Sequence, residues 1–217
     1  MCSSDLRLFP SHDINTPKRK RNMENNGREL RMYFFVPYNI SPIQQAIQAG
    51  HAMGEYTLKF GRRNPDHIVW EFLEKWKTWI VLNGGTTNAA MHEDEYLRIV
   101  PVGDLTMRAW QLNEANIDFA TFNEPDLNDA LTAVCFIADE RMFNKKLYPD
   151  FVFDADAAKE LIKNNEYNIN IPMEEFDKWY DPVIESAKAY GQWFAGFGEG
   201  AKDVIFLRSF LKGTKFA

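Results

Sequence analysis

Cysteine is scarce in this chain: two in 217 residues, Cys2 near the start and Cys135 inside an apolar run. No disulfide between them is expected, and so few cysteines fit a reducing compartment. No apolar run approaches the ~18 residues that a membrane span needs, and the start has no apolar h-region of a secretory signal. Together these absences predict a cytoplasmic protein with no membrane partner. The four histidines, His12, His51, His67 and His92, show no ligand spacing with cysteine or with one another, so no dedicated metal site is expected. There is no G-x-S-x-G nucleophile elbow. No P-loop ending and no G-x-G-x-x-G after a strand are present, since Gly196-Phe-Gly198-Glu-Gly200 follows no predicted strand, and no cofactor is expected.

Positive charge is also short where it would matter for nucleic acid. The net charge is −6, unevenly placed. Residues 1–31 carry seven Lys/Arg against four Asp/Glu, residues 32–139 seven against fourteen, and residues 140–217 eleven against thirteen. The middle segment is therefore −7 by itself. Nucleic-acid binders present a basic footprint, because phosphate neutralisation dominates their affinity; this acidic segment disfavours tRNA or any other nucleic acid as its ligand.

What the chain does have is apolar mass. Hydrophobic residues reach 45% and aromatics 14%, with 17 Phe and 6 Trp, enough for a large core in one full domain with an addition or in two small ones. Residues 1–31 read as a solvated, disordered tail; its basic run Lys18-Arg19-Lys20-Arg21 could steer an anionic partner. Met1-Cys2-Ser3-Ser4-Asp5-Leu6 looks like the translation of a sequencing adapter, which would put the natural start at Met23 or Met32.

Met32–Val36 is a short apolar and aromatic run and predicts a strand. Ser41-Pro42 opens a helix, with Ser41 as N-cap, running to about Phe60 and ended by Gly61. Its small residues Ala46, Gly50 and Gly54 would allow close packing on a sheet. A second helix is expected from Pro65 to about Trp76, a strand over Thr78–Leu82, and a loose polar stretch to Val102. Asp104 would cap a third helix. Ile117–Thr121 reads as a strand, Asn123–Asp126 as a turn, and Leu131–Ile137 as the strongest strand, antiparallel to its predecessor. The order β-α-α-β-α-β-β predicts an α/β domain over 32–140: a three-layer α/β/α arrangement with a mixed sheet. Residues 141–217 read as a helical extension packed on that core, with helices over Asp154–Lys163, from Met173 to about Tyr190, and over Ala201–Lys212, and a loose stretch at Gly191–Gly200.

Three groups could carry chemistry. Gln44, Gln48, His51 and Glu55 follow one another at i, i+4, i+7 and i+11, within about 60° on a helix. They form one polar stripe just after a strand, where open α/β sheets bind ligands. His51 would serve as a base or hydrogen-bond donor near neutral pH; the plainer reading, which one helix alone favours, is that the stripe faces water. Asn123-Glu124-Pro125-Asp126 puts two carboxylates on a rigid turn, either to orient a water or merely to close the turn. Asn83-Gly84-Gly85-Thr86-Thr87 offers backbone amides to an anion or is a plain loop. Cys135, mid-strand, reads as a small core residue.

Taken together, Gln48-Ala49-Gly50-His51-Ala52, the strand Trp79–Leu82, and the strand, acidic loop and threonine-bearing strand of Phe119–Ile137, with Thr132 at the threonine position, resemble type II peptidyl-tRNA hydrolases. The loop Glu124-Pro-Asp-Leu127 looks like that of a divergent branch often encoded by phages. The resemblance covers about half the chain. It implies a mixed four-stranded sheet sandwiched by helices, and hydrolysis of the ester between a peptide and the 3′ ribose of tRNA. It also implies roles: His51 as acid/base, Asp126 or Glu124 to place water, Thr132 and Gln48 as hydrogen-bond partners, and Gln44 and Glu55 on the substrate side. Two departures stand out. The family has lysines before its Gln-x-x-His helix, where this chain has Ile40–Gln45 without charge. The family loop reads Asp-Ala-Gly-Arg/Lys-Thr, where this chain has Asn123–Leu127. Two other expectations therefore stand beside an ester hydrolase: a catalytically inactive module of the same fold that binds a small molecule or protein, and an interaction protein using Trp179, Tyr180, Tyr190, Trp193 and Phe194. The oligomeric state is open, with a dimer allowed.

Overall fold

β1 (Leu30–Val36) is buried at every position except Arg31, because it lies inside the sheet with helices above and below. A strand covered on both faces has no need of apolar–polar alternation. It begins two residues before the expected Met32, with fully buried Leu30 opposite Asp139, so the tail boundary at residue 31 falls inside the strand. The computed structural model describes residues 27–86, 90–93, 99–151 and 188–217. The tail up to residue 26 and the helices expected at Asp154–Lys163 and from Met173 to residue 187 lie outside them.

α1 (Pro42–Tyr56) starts where the sequence predicts. The Ser41 hydroxyl accepts the Gln44 amide while the Gln44 side chain accepts the Ser41 amide, a reciprocal capping box. The helix widens into a π turn over Thr57–Gly61. Its orientation corrects the sequence expectation. Gln45, Ala49, Ala52 and Tyr56, at i, i+4, i+7 and i+11, face the sheet together with Gln48. Ala46 is exposed, and a Cβ added to Gly50 or Gly54 would meet nothing within 4 Å, so the small residues do not pack on the sheet.

α2 (Ile68–Glu71, continued by a π turn over Phe72–Trp76) begins three residues later than Pro65, because the His67 imidazole caps it, Nδ1 accepting the Val69 amide at 3.2 Å. β2 (Thr78–Asn83) follows a left-handed Lys77. The stretch expected to be loose contains a hairpin, β3 (Ala90–Glu93) with β4 (Ile99–Val102), separate from the main sheet. α3 (Asp104–Glu114) is capped by Gly103 at φ 102°, not by Asp104; the Asp104 carboxylate accepts the Thr86 amide instead.

β5 (Phe119–Glu124) lies two to three residues further along than expected and is antiparallel to β6 (Ala130–Asp139). The main sheet has the order β2-β1-β6-β5, parallel between β1 and β2 and antiparallel elsewhere. α4 (Glu140–Phe143), a helical stretch over 188–195 and α5 (Ala201–Phe210) complete the described chain; residues 191–195 are thus helical rather than loose.

The fold is a three-layer α/β/α sandwich on a mixed four-stranded sheet. On one face Met32, Phe34, Val36 and Cys135 pack against Ala49, Ala52 and Tyr56 of α1 and Val69 and Phe72 of the second helical segment. On the other, Phe35, Val134 and Phe136 pack against Leu105, Ala109 and Leu112 of α3 and Val204 and Leu207 of α5. Each such buried Leu, Val or Phe contributes about 1.5–3 kcal/mol relative to exposure. α5 is also tied down by polar contacts. The Arg141 guanidinium, paired with Asp139, donates to the carbonyls of Phe197 and Glu199, and Arg208 of α5 donates to the Arg141 carbonyl at 3.1 Å. No helix among the described residues is long and apolar enough to cross a membrane.

Candidate functional site

The predicted polar stripe divides once α1 is docked. Gln48 turns inward and is 7% exposed. Its side-chain nitrogen donates to a carboxylate oxygen of Glu124 at 2.6 Å, and its oxygen accepts the Thr132 hydroxyl at 2.7 Å. A buried amide needs both ends matched, and here both are. His51, one turn on, is exposed, and its ring lies against Phe122 with centroids 4.4 Å apart. Glu55 is exposed a turn further, and exposed Gln44 is occupied by the capping box.

The meeting of Gln48 and Thr132 depends on a break in the β5–β6 ladder. Phe122 pairs with Ala133 but Asn123 pairs with Leu131, so Thr132 is an extra residue without a counterpart. Leu131 and Val134 both pack on the α3 side. The two residues between them, Thr132 and Ala133, both turn toward α1. Such a bulge re-aims a side chain that strict alternation would send to the other face. β5 supplies the rest: Ala120, Phe122 and Glu124, two apart, share the α1 side.

Of the residues singled out in sequence, the fold thus joins Gln48, Glu124 and Thr132 and sets His51 beside them. Asp126 stands exposed on the 3-10 turn Pro125–Leu127, and no hydrogen bond or ion pair among the described residues involves it. That turn is closed by Asn123, whose side-chain amide donates to the Asp129 carbonyl at 2.7 Å. Two participants escaped the sequence reading. Phe122 was beyond the predicted strand end; continuing the period of two from Ala120 would have placed it. Gln45, which donates to the Pro37 carbonyl at 3.0 Å and anchors the start of α1, belongs to the inward stripe with Ala49, Ala52 and Tyr56.

The Asn83–Thr86 loop does not present free amides. Gly84 donates to Val36, Gly85 to the Asn83 side chain and Thr86 to Asp104, so these donors are spent within the fold, as in a plain loop; Thr87 lies outside the described residues. Cys135 is fully buried and its thiol donates to the Ala52 carbonyl at 3.2 Å, the behaviour of a core residue. Among the described residues no cluster of His, Cys, Asp and Glu is arranged to hold a metal ion, and no lysine or arginine is bonded to Glu124 or Gln48.

Chemically the cluster offers a half-buried carboxylate, fixed by one oxygen, beside an accessible imidazole on an aromatic ring. That is an equipment for moving a proton or orienting a polar ligand. No protein-family model and no curated protein matches the chain.

Proposed function

We propose that the chain is an ester hydrolase of the type II peptidyl-tRNA hydrolase kind, acting on the ester of a peptidyl-tRNA or a related ester at the Gln48–Glu124–Thr132 cluster. The observation that carries this reading is the hydrogen-bonded chain from Thr132 through Gln48 to Glu124, built by three separate elements next to His51. Ester hydrolysis needs a group to take a proton from water and a site where a tetrahedral oxyanion is tolerated. The His51 imidazole is the proton-transferring group: it is exposed beside the cluster and carries two ring nitrogens that can accept or donate a proton. Glu124 orients the water or the imidazole through its second oxygen. This role passes to Glu124 from Asp126, which stands apart on the turn. Gln48 and Thr132 are positioning residues that hold Glu124.

A second reading has its own support. Among the described residues no cation is bonded to Glu124 or Gln48, and residues 32–139 carry −7, which suits a neutral or cationic ligand bound without turnover better than a polyanion. The experiment is to incubate the full chain with an N-blocked aminoacyl-tRNA and, separately, with a small N-acyl amino acid ester. The hydrolase reading expects ester cleavage that drops by roughly 10²–10⁴ in His51→Ala and Glu124→Gln, with circular dichroism unchanged. No release above background from either substrate at high enzyme concentration overturns it. Binding of the small ester without cleavage would then favour the binding module.

A further inference from the structure

On the sheet face opposite the Gln48 cluster, α3 and α5 leave a groove of about 420 Å³ between them. Met107, Arg108 and Gln111 line it from α3, and Phe206, Ser209 and Phe210 from α5. Arg108 is its singular feature. The guanidinium lies over the Phe35 ring at 4.4 Å and near the Phe210 ring at 5.3 Å. A guanidinium carries five N–H donors in one plane, yet the hydrogen bond Arg108 makes among the described residues is a single long one, to the Phe210 carbonyl at 3.4 Å. Asp104, the acidic residue on the groove, forms no ion pair with it within 4.0 Å, and its carboxylate accepts the Thr86 amide instead. Burial lowers the proton affinity of Arg108, and the charge of Asp104 only partly opposes this. The Phe35 ring and the Phe210 ring, nearly perpendicular to each other, flank the guanidinium and restrict its position, while its N–H groups are left short of acceptors. That is the arrangement in which arginine recognises a flat or branched anion with two parallel hydrogen bonds.

We propose that this groove is a binding site for a small organic anion, a carboxylate or phosphate monoester carried on an apolar, ring-sized body. Arg108 holds the anionic group through its edge, Gln111 and Ser209 offer further polar contacts at the rim, and Met107, Phe206 and Phe210 enclose the apolar part. The site lies on the other side of the sheet from His51 and does not depend on the hydrolase reading.

The test uses the full chain and three probes of one shape: benzoate, phenyl phosphate and the neutral benzamide, measured by saturation-transfer NMR and calorimetry. Benzoate or phenyl phosphate should bind and benzamide should not; which anion binds more tightly identifies the carboxylate or the phosphate as the natural group. Arg108→Met, which keeps the apolar stem, should weaken binding by about tenfold or more, and Arg108→Lys, which keeps the charge but loses the fork, should fall between. Ser209→Asp, at an exposed rim position where folding is not at stake, should also weaken it by like-charge repulsion, while Glu124→Gln should leave it unchanged. The proposal is overturned by equal binding to folded Arg108→Met, by benzamide binding as well as the anions, by Ser209→Asp binding as tightly as wild type, or by no binding of either anion at tens of millimolar.

Discussion

The side-chain nitrogen of Gln48 stands 2.6 Å from a carboxylate oxygen of Glu124, a residue 76 positions away in the chain. The opposite end of the same amide takes the Thr132 hydroxyl. Gln48 is therefore a strut between two strands. It holds the end of β5 and the bulge of β6 at fixed distance from α1, and with them the side chain of Phe122 on which His51 rests. Disturbing the strut should affect both the fold and the placement of the Glu124 carboxylate and of the Phe122 ring that His51 rests on.

Thr132→Val tests the strut directly. Valine has nearly the shape of threonine but no hydroxyl, so it leaves the buried Gln48 oxygen without a partner. An unsatisfied buried acceptor costs about 1–3 kcal/mol. The denaturation midpoint should fall accordingly with an unchanged slope, and Thr132→Ser should recover most of the loss. Equal stability of Thr132→Val and wild type would mean that the hydroxyl bond adds nothing.

Much of the fold could be read from local pattern because local physics decides it. Ser41-Pro42 and Gln44 encode the start of α1 in three residues, and Leu131–Ile137 announces β6 by its run of apolar residues. The hairpin Ala90–Glu93 with Ile99–Val102 could not be seen: each strand has four residues and one contains Pro101, which weakens any strand signal. The site was half visible. Helical spacing grouped Gln44, Gln48, His51 and Glu55 as equals, but only docking on the sheet decides that Gln48 turns inward while Gln44 closes a cap. The bulge at Thr132 is a property of pairing between two strands, and no single strand's sequence contains it. Asp126 and Glu124 looked alike in sequence, and the extension of β5 to Glu124 separates them.

Arg141–Asp139 and Lys145–Asp150 are ion pairs of the same length, 2.6 Å, in opposite surroundings. The first is buried, 2% exposed on both sides; the second is 64% and 53% exposed. Asp139→Ala strands a buried guanidinium and should cost about 3–5 kcal/mol, loosening the Phe197–Glu199 segment that Arg141 holds. Lys145→Ala should cost less than about 1 kcal/mol. Chemical denaturation of the two variants gives the comparison; similar losses would refute the burial argument.

Alkaline pH should destabilise the protein through buried core groups, Cys135, Tyr33 and Tyr56, all held protonated by burial. Burial pushes the Cys135 thiol from 9.0 up to about 12 and the Tyr33 phenol from 10.0 up to about 12. Above the lower values the unfolded chain loses these protons and the folded chain keeps them, so the unfolded state binds fewer protons. Stability is therefore whole below about pH 9 and falls as pH rises toward 12, by about 1.4 kcal/mol per pH unit for each group within its window. Denaturant midpoints measured between about pH 8 and 11 should fall, and Cys135→Ala should flatten the first part of the descent. An identical descent in Cys135→Ala would exclude the thiol as a contributor.

Three glycines should respond oppositely to the same methyl group. Gly50 and Gly54 lie in α1, where a Cβ meets open space. There alanine avoids the entropy that glycine costs a helix, and each substitution should stabilise by about 0.5–1 kcal/mol. At Gly84 a Cβ would stand 2.5 Å from a Leu105 methyl and 3.1 Å from the Val36 backbone nitrogen. The Leu105 side chain can yield, but the Val36 nitrogen belongs to β1, whose carbonyl already holds the Gly84 amide at 2.7 Å. Gly84→Ala should therefore destabilise by about 1–3 kcal/mol through overpacking. Thermal melting of the three variants reads the sign directly, and a destabilised Gly50→Ala would show that the outer face of α1 is covered in solution.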